Sequence, residues 1–194
     1  MFVPTWEAVL DMSPTDFEKY CVQLLQEQTV GIENCIFQHN KIIAADDGDY
    51  QIDGFIEFSV MGVTYKTLLE CKHYKRSIAR EKVQVLYDKV RATGAQKGIL
   101  MSISNFQSGA IDYATKHGIA LIQIIESGEQ YCARARPGII AATPHIPHNN
   151  GCPYVGVLQY GTVGMTHCSY LSLGNMSLQN FLLNGFKEEA RWAL

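Results

Sequence analysis

The sequence lacks three features that would place it in a specialised class of protein. Its six cysteines are scattered and include no CxxC pair, which predicts reduced, mostly buried thiols rather than a disulfide framework. No apolar stretch approaches the roughly 20 residues that a membrane helix needs. The sequence also has no basic start followed by an apolar run, which is the pattern of a signal peptide. We therefore expect a soluble, cytoplasmic protein with no membrane partner.

Basic residues are also few, with 16 Lys and Arg against 19 Asp and Glu, and the net charge of -3 does not indicate a nucleic-acid-binding protein. The charges are unevenly distributed, however. Residues 1–53 hold ten acidic side chains and two basic ones, whereas residues 72–97 hold eight basic and two acidic ones. Two interpretations fit this asymmetry: a metal site beside a phosphate-binding face, or a solvated helix face on which Glu81 and Asp88 pair with basic neighbours.

The length of 194 residues and the hydrophobic content of 47% predict one ordinary globular core. Ser13 and Pro14 mark the start of a first helix that should run to about residue 28. Residues 32–44 are predicted to be extended, with Ile36, Ile42 and Ile43 as apolar anchors.

A hairpin should follow, because two strand-like segments flank a turn at residues 61–62. Its first arm covers residues 50–60, with Gly54 as a candidate β-bulge, and its second covers residues 63–74. The later predicted elements are a helix after Ser77 that ends at Gly94, a buried strand at 97–104, a helix at 106–117, a buried strand at 119–125, short strands at 154–173 and a terminal helix at 177–194. This order predicts an α/β fold with a mixed central sheet flanked by helices.

Two carboxylates and one lysine are predicted to meet on the hairpin. Glu70 and Lys72 are two residues apart on the second arm, so they point to the same face, while Cys71 points to the opposite layer. Asp53 on the first arm is about as far from the turn as Glu70. Paired carboxylates suit a hard cation such as Mg²⁺, and a lysine beside them can orient or deprotonate water and offset charge at a phosphoryl group. The pattern therefore indicates phosphodiester hydrolysis.

The Glu-x-Lys triplet has a plainer interpretation, since such pairs are common by chance on exposed strands. Its context favours the functional interpretation. Leu68 and Leu69 lead into it as an apolar run, a basic segment follows it directly, and an aspartate precedes it at hairpin distance.

Several segments, taken in order, resemble the Mrr-type restriction endonuclease catalytic domain of the PD-(D/E)xK nuclease superfamily. The matching segments are Phe17-Glu18, Asp53-Gly54, Leu69-Glu70-Cys71-Lys72, the strand at 97–104 with Asn105-Phe106 and Ala110 after it, and residues 119–122. The resemblance covers roughly residues 10–125 and implies a restriction-endonuclease-like fold. It also implies a metal-dependent DNA endonuclease, with a role in restriction or phage defence.

Carried over by position, the resemblance implies that Asp53, Glu70 and the backbone carbonyl of Cys71 bind Mg²⁺ or Mn²⁺, and that Lys72 is the catalytic lysine. Glu18 is either an accessory acid or an ordinary surface carboxylate. Gln84 matches a polar position on the following helix and is a candidate DNA contact.

The basic residues that follow the second arm are candidates for phosphate contacts. Lys75, Arg76 and Arg80 come directly after Lys72 and lead into a helix, so they should lie beside the scissile group.

Other enzymatic and non-enzymatic functions remain compatible with the same fold. One alternative is a structure-selective nuclease of the junction resolvase kind, and another is a catalytically silent DNA-binding or assembly module. The complete set of Asp53, Glu70 and Lys72 argues against the silent module, since binding alone does not require all three.

The residues after 126 match no pattern of the family. We predict a nuclease core at 1–126 and a C-terminal extension at 127–194 that acts as a cover or in dimerisation, and we expect a homodimer. An apolar series near the C-terminus motivates the dimer: Phe181, Leu182, Leu183, Phe186 and Trp192. The histidines and cysteines of this part indicate either a zinc site or loops with incidental histidines, the second being favoured by their spacing: His145, His148, Cys152, His167 and Cys168.

Overall fold

The described part of the chain forms a seven-stranded mixed sheet with two helices packed on each face. A computed structural model describes residues 11–29, 32, 34–126, 154–171 and 177–184. The elements in chain order are α1 (Pro14–Gln28), β1 (Ile36–Ala45), β2 (Gly48–Val60), β3 (Val63–Lys72), α2 (Arg80–Ala92), β4 (Lys97–Ser102), α3 (Ser108–Lys116), β5 (Ile119–Glu126), β6 (Tyr154–Thr162), β7 (Met165–Tyr170) and α4 (Ser177–Asn184). None of the helices in these ranges is long and apolar enough to cross a membrane.

The strands lie in the sheet in the same order as in the sequence. β3, β4 and β5 are parallel, and the other neighbouring pairs are antiparallel. α2 connects β3 to β4 and α3 connects β4 to β5, because parallel neighbours must be joined by a crossover connection. The mixed α/β sheet predicted from the sequence is therefore confirmed.

The first helix begins where the sequence indicates. The Ser13 hydroxyl accepts a hydrogen bond from the backbone N–H of Asp16 at 3.1 Å, and Pro14 occupies the first helical position, where its missing N–H costs nothing. The helix buries an apolar face that consists of Phe17, Tyr20, Cys21, Leu24 and Leu25.

The sheet separates two apolar clusters. The cluster on the α1 side includes Leu69 and Cys71 of β3 together with Leu178, Phe181 and Leu182 of α4. The cluster on the other side contains the buried faces of α2 and α3, with Leu68 of β3 beneath them. Adjacent residues of β3 thus contact opposite layers, as the strand period requires.

Three apolar residues of the terminal helix are buried within the chain. Leu178, Phe181 and Leu182 are at most 1% exposed, and Leu183 is exposed. Phe186 and Trp192 lie outside the described residues. The buried face of α4 therefore needs no second chain to cover it.

One local prediction for the first strands is wrong. Ile36 and Ile42 are exposed on the edge strand β1, whereas their neighbours Phe37 and Ile43 pack against the clusters on opposite faces of the sheet. At the candidate bulge, the pairing of β2 with β1 keeps one register on both sides of Gly54, whereas the pairing with β3 ends at Gly54.

Gly54 instead permits a close approach between layers. A Cβ atom at this position would lie 2.7 Å from Leu69 Cδ2 and 3.2 Å from Val22 Cγ2, where Gly54 and Leu69 are buried and Val22 is partly buried. We expect Gly54→Ala to lower the free energy of unfolding by about 1–3 kcal/mol, the usual cost of overpacking. Urea unfolding monitored by circular dichroism measures this change.

Gly109→Ala provides the matched control, because a Cβ at Gly109 in α3 meets no atom within 4 Å. This variant should be slightly more stable than the wild type, since alanine favours a helix over glycine. Equal midpoints for Gly54→Ala and the wild type would show that the layers adjust to a methyl group.

Candidate active site

The hairpin turn sets which residues of β2 and β3 lie opposite one another. Met61 and Gly62 both have positive φ, at 53° and 80°, which is the pattern of a type I′ turn. The resulting register places Gly54 opposite Leu69. Asp53 and Glu70 are the next residue of each strand, so the turn brings the two carboxylates together as predicted.

The side chains of β2 change face at Asp53. Ile52 packs in the α2–α3 cluster, whereas Gly54 lies against Leu69 in the α1–α4 cluster, although residues two apart on a regular strand share a face. Asn40, across from this point on β1, has a positive φ of 52°. The sheet is thus irregular at Asp53 itself, and the paired part of β2 and β3 ends at Gly54 and Leu69.

Beyond this last backbone pair, the Asp53 carboxylate accepts the hydrogen bond of a β3 amide. The Cys71 N–H donates a hydrogen bond to Asp53 Oδ2 at 2.7 Å. Burial and the neighbouring charge of Glu70 raise the pKa of Asp53, and the bond from Cys71 only partly offsets them. A bound cation would reduce the repulsion between these two partly buried carboxylates.

Both oxygens of Glu70 contact a lysine. Lys72 Nζ donates to Glu70 Oε1 at 2.5 Å, and Lys89 Nζ of α2 donates to Oε2 at 2.9 Å. Burial by itself lowers the pKa of Lys72, but the charge of Glu70 and its hydrogen bond raise it above the usual value. The Lys72 ammonium is therefore held in its charged form beside Glu70.

Cys71 separates the two charged residues and faces the other layer. It is 8% exposed and belongs to the α1–α4 cluster, together with Cys21 of α1. Burial raises the pKa of the Cys71 thiol well above its ordinary value, and contact with Cys21 adds to the effect. The thiol therefore stays protonated, and the carbonyl of Cys71 is the group this residue can offer to a metal.

Glu18 of α1 lies close enough to act on the site. Its Oε2 is 2.9 Å from Nε2 of His39 on β1, and its charge contributes to the raised pKa of Asp53. Both side chains are about a quarter exposed. Glu18 is thus paired with His39 at the edge of the acidic pair.

The sequence did not single out His39 or Lys89. His39 lies on an edge strand and has no motif around it. Lys89 directly precedes Val90 on the buried side of α2 and follows Leu86 by three residues, and a cation that borders a buried helix face is the signal that points to it.

The predicted DNA-contacting residues lie after β3 and along α2. Lys75 and Arg76 are exposed in the loop that leaves β3, and Arg80 opens α2 with its guanidinium 4.8 Å from the centre of the Tyr113 ring. Gln84 is exposed on α2, on which Lys89 rather than Gln84 contacts Glu70.

The donor set fits a hard divalent cation better than zinc. Two carboxylates with a backbone carbonyl provide the oxygen ligands that Mg²⁺ and Mn²⁺ prefer. Among the residues that the structure describes, no group of three or more His, Cys, Asp or Glu side chains forms a metal cluster. His167 and Cys168 are exposed on β7, and His145, His148 and Cys152 lie outside the described residues.

Comparison with known proteins identifies the family. Residues 9–126 match the restriction endonuclease family Mrr_cat. The type IV methyl-directed restriction enzyme EcoKMrr of Escherichia coli (strain K12) is 26% identical over 117 residues, which are 60% of this chain and 37% of that enzyme. The chain thus spans little more than a third of the length of this relative.

The crystal structure of a protein of unknown function, AF1548, is 18% identical, with a TM-score of 0.44 and 54% of each chain covered. The family match covers more than half of the chain and includes Asp53, Glu70 and Lys72. The chain therefore belongs to the Mrr-type restriction endonuclease family and has its restriction-endonuclease-like fold.

Proposed function

We propose that this chain is a metal-dependent DNA endonuclease, in which Asp53, Glu70 and the carbonyl of Cys71 hold Mg²⁺ or Mn²⁺ and Lys72 serves the reaction. One observation carries the proposal. Lys72 Nζ lies 2.5 Å from Glu70, while Asp53 is bound to the amide of the intervening Cys71. Two acids and one ammonium thus meet at one strand end, in a chain of the restriction endonuclease family.

The cation, when bound, polarises a phosphoryl oxygen and offsets negative charge that develops during hydrolysis. Asp53 and Glu70 position it, because their strands are joined by a two-residue turn and their carboxylates are partly buried. Lys72 remains charged beside Glu70, which suits it to orient the attacking water and to stabilise negative charge on the phosphoryl group. Glu18 acts as an accessory acid through its influence on Asp53.

Lys75, Arg76 and Arg80 are proposed to contact DNA phosphates, with Gln84 further along α2. Their position supports this role, since the loop that carries Lys75 and Arg76 starts at Lys72 and ends at Arg80. Replacement of all three basic residues by alanine should reduce the slope of log Kd against log salt by roughly three units, about one per lost phosphate contact, with little change in sequence preference.

Fluorescence anisotropy with labelled duplex DNA over a salt series measures this slope. Lys116→Ala is a suitable control, because Lys116 is exposed on α3 and pairs with Asp112 at 3.0 Å. An unchanged slope in the triple variant would mean that the basic run is only a solvated surface.

The biological role proposed here is restriction or phage defence in the cytoplasm, which the family of the chain supports. A single site of this kind cuts one strand, so we propose that the chain works as a homodimer. Leu178, Phe181 and Leu182 of α4 are buried within the chain, so these three residues are not part of the proposed dimer contact. Sedimentation as a monomer both with and without DNA would contradict the dimer.

A plasmid assay tests the proposed function. Purified protein with Mg²⁺ should convert supercoiled DNA to nicked and linear forms, and RNA should be tested in parallel. Failure to cut DNA with either Mg²⁺ or Mn²⁺, at a concentration where the protein binds DNA, would leave a binding module of the same fold as the better description.

A further inference from the structure

The carboxylate of Glu70 has a second lysine partner that is not part of the Glu-x-Lys triplet. Lys72 is part of the Glu-x-Lys triplet and contacts Oε1, but Oε2 is taken by Lys89 from a different element. Lys89 also donates to the backbone carbonyl of Gln51 at 3.0 Å. It therefore ties α2 to β2 and to the acid on β3 through a single ammonium group.

The contact is well shielded from solvent. The side chains of Lys89 and Glu70 are 18% and 11% exposed, and charged groups of this kind are costly to bury without a partner. By contrast, Lys82 on the same helix contacts Glu81 at 3.4 Å with side-chain exposures of 40% and 71%. Lys89 is thus distinguished from an ordinary surface lysine of α2 by burial and by two close oxygen partners.

Among the two carboxylates of the motif and the two lysines on Glu70, the charges balance only because Lys89 is present, while Glu18 is paired with His39 instead. Asp53 and Glu70 supply two acidic groups, and Lys72 and Lys89 supply two ammonium groups. Without Lys89, the set of Asp53, Glu70 and Lys72 would carry a net charge of about −1. A divalent cation that binds Glu70 must then compete with an ammonium that already occupies Oε2, and it meets the repulsion of that ammonium at short range.

We propose that Lys89 is the resident counter-ion of Glu70 in the metal-free protein, a positioning residue that holds this carboxylate and sets the affinity of the site for a divalent cation. The inference rests on the proposed metal-dependent function. It goes beyond that function because it assigns to α2 a role in metal binding, separate from the proposed DNA contacts of Arg80 and Gln84.

Lys89→Met removes the charge while it keeps a long side chain and a strong helix former. In the full chain without DNA, this variant should bind Mn²⁺ about tenfold more tightly than the wild type, because one repelling cation is gone. Electron paramagnetic resonance of free Mn²⁺ measures the affinity. Lys89→Arg keeps the charge and should return the affinity to near the wild-type value.

Two further measurements separate this role from a structural one. The free energy of unfolding of Lys89→Met should be below that of the wild type without metal, and Mn²⁺ should raise it more than in the wild type, since tighter binding stabilises the native state more. Lys82→Met should change neither quantity. Lys89→Gln, which also removes the charge, takes the place of Lys89→Met if that variant does not fold.

The outcomes distinguish the inference from the function on which it rests. Wild-type protein that binds no Mn²⁺, even with uncleaved DNA present, would overturn the proposed metal site. Wild-type protein that binds Mn²⁺, with unchanged or weaker binding in both neutral variants, would overturn the role of Lys89 and leave the metal site standing. Tightening in the neutral variants together with recovery in Lys89→Arg is the result that the counter-ion role predicts.

Discussion

Chelation of divalent metal with EDTA is expected to reduce DNA cleavage by this chain to background. Asp53 and Glu70 bring two carboxylates to one strand end, and the carbonyl of Cys71 lies between Glu70 and Lys72 in the same segment. In the absence of a cation, this acidic pair has nothing that can polarise a phosphoryl oxygen, so hydrolysis loses its main source of charge stabilisation. Supercoiled plasmid incubated with Mg²⁺ or with EDTA measures the effect.

The fold itself should withstand chelation. Glu70 is paired with Lys72 and Lys89, and Asp53 accepts a hydrogen bond from Cys71, so the site is stabilised by the chain's own groups. Circular dichroism in EDTA therefore serves as the control, and addition of excess Mg²⁺ should restore cleavage. Ca²⁺ should support DNA binding with little hydrolysis, because its coordination is looser. Equal cleavage in EDTA and in Mg²⁺ would contradict metal dependence.

The sequence predicted the parts of the site that depend on short-range geometry. The period of a strand puts Glu70 and Lys72 on one face, and the turn at residues 61–62 brings Asp53 to the level of Glu70. Both relations are present, since the register pairs Gly54 with Leu69 and Lys72 contacts Glu70. A tight turn leaves little freedom in register, which explains why this part of the structure could be predicted.

The parts that were not predicted depend on how separate elements pack. Lys89 reaches Glu70 only because α2 lies across the sheet with a particular rotation, which the buried residues Val83, Leu86 and Val90 determine. The helical period identifies that face but does not show which strand residue each bordering side chain will contact.

The edge strand β1 shows a second limit. His39 on β1 and Glu18 on α1 are 21 residues apart in the sequence, and their side chains contact each other between the two elements. The change of face at Asp53 accompanies a positive φ at Asn40 on the neighbouring strand, and no alternation of apolar and polar residues indicates such a change. The prediction for Ile36 and Ile42 was wrong for a related reason. The alternation of residues along an edge strand does not show which of its side chains pack inward.

Lys72→Ala should abolish detectable cleavage while it leaves the fold and DNA binding nearly unchanged. Lys72 is the last residue of β3, and its ammonium contacts Glu70 where the DNA phosphate is proposed to lie. Loss of one preorganised charge that acts mainly in the transition state costs about 10²- to 10³-fold in rate. The stability should change less than in Lys89→Met, because Glu70 retains Lys89, which also donates to the carbonyl of Gln51. Plasmid cleavage measures the rate, and anisotropy in Ca²⁺ measures DNA binding.

Lys82→Ala is the matched control, since Lys82 is a half-exposed lysine of α2 whose carboxylate partner is Glu81 and not Glu70. It should cleave at the wild-type rate, and both variants should unfold at similar urea concentrations. Loss of activity together with loss of folded structure in Lys72→Ala would indicate a structural role for this lysine. Cleavage by a folded Lys72→Ala protein at close to the wild-type rate would remove Lys72 from the mechanism, and Lys89, the other ammonium on Glu70, would then be the group to replace next.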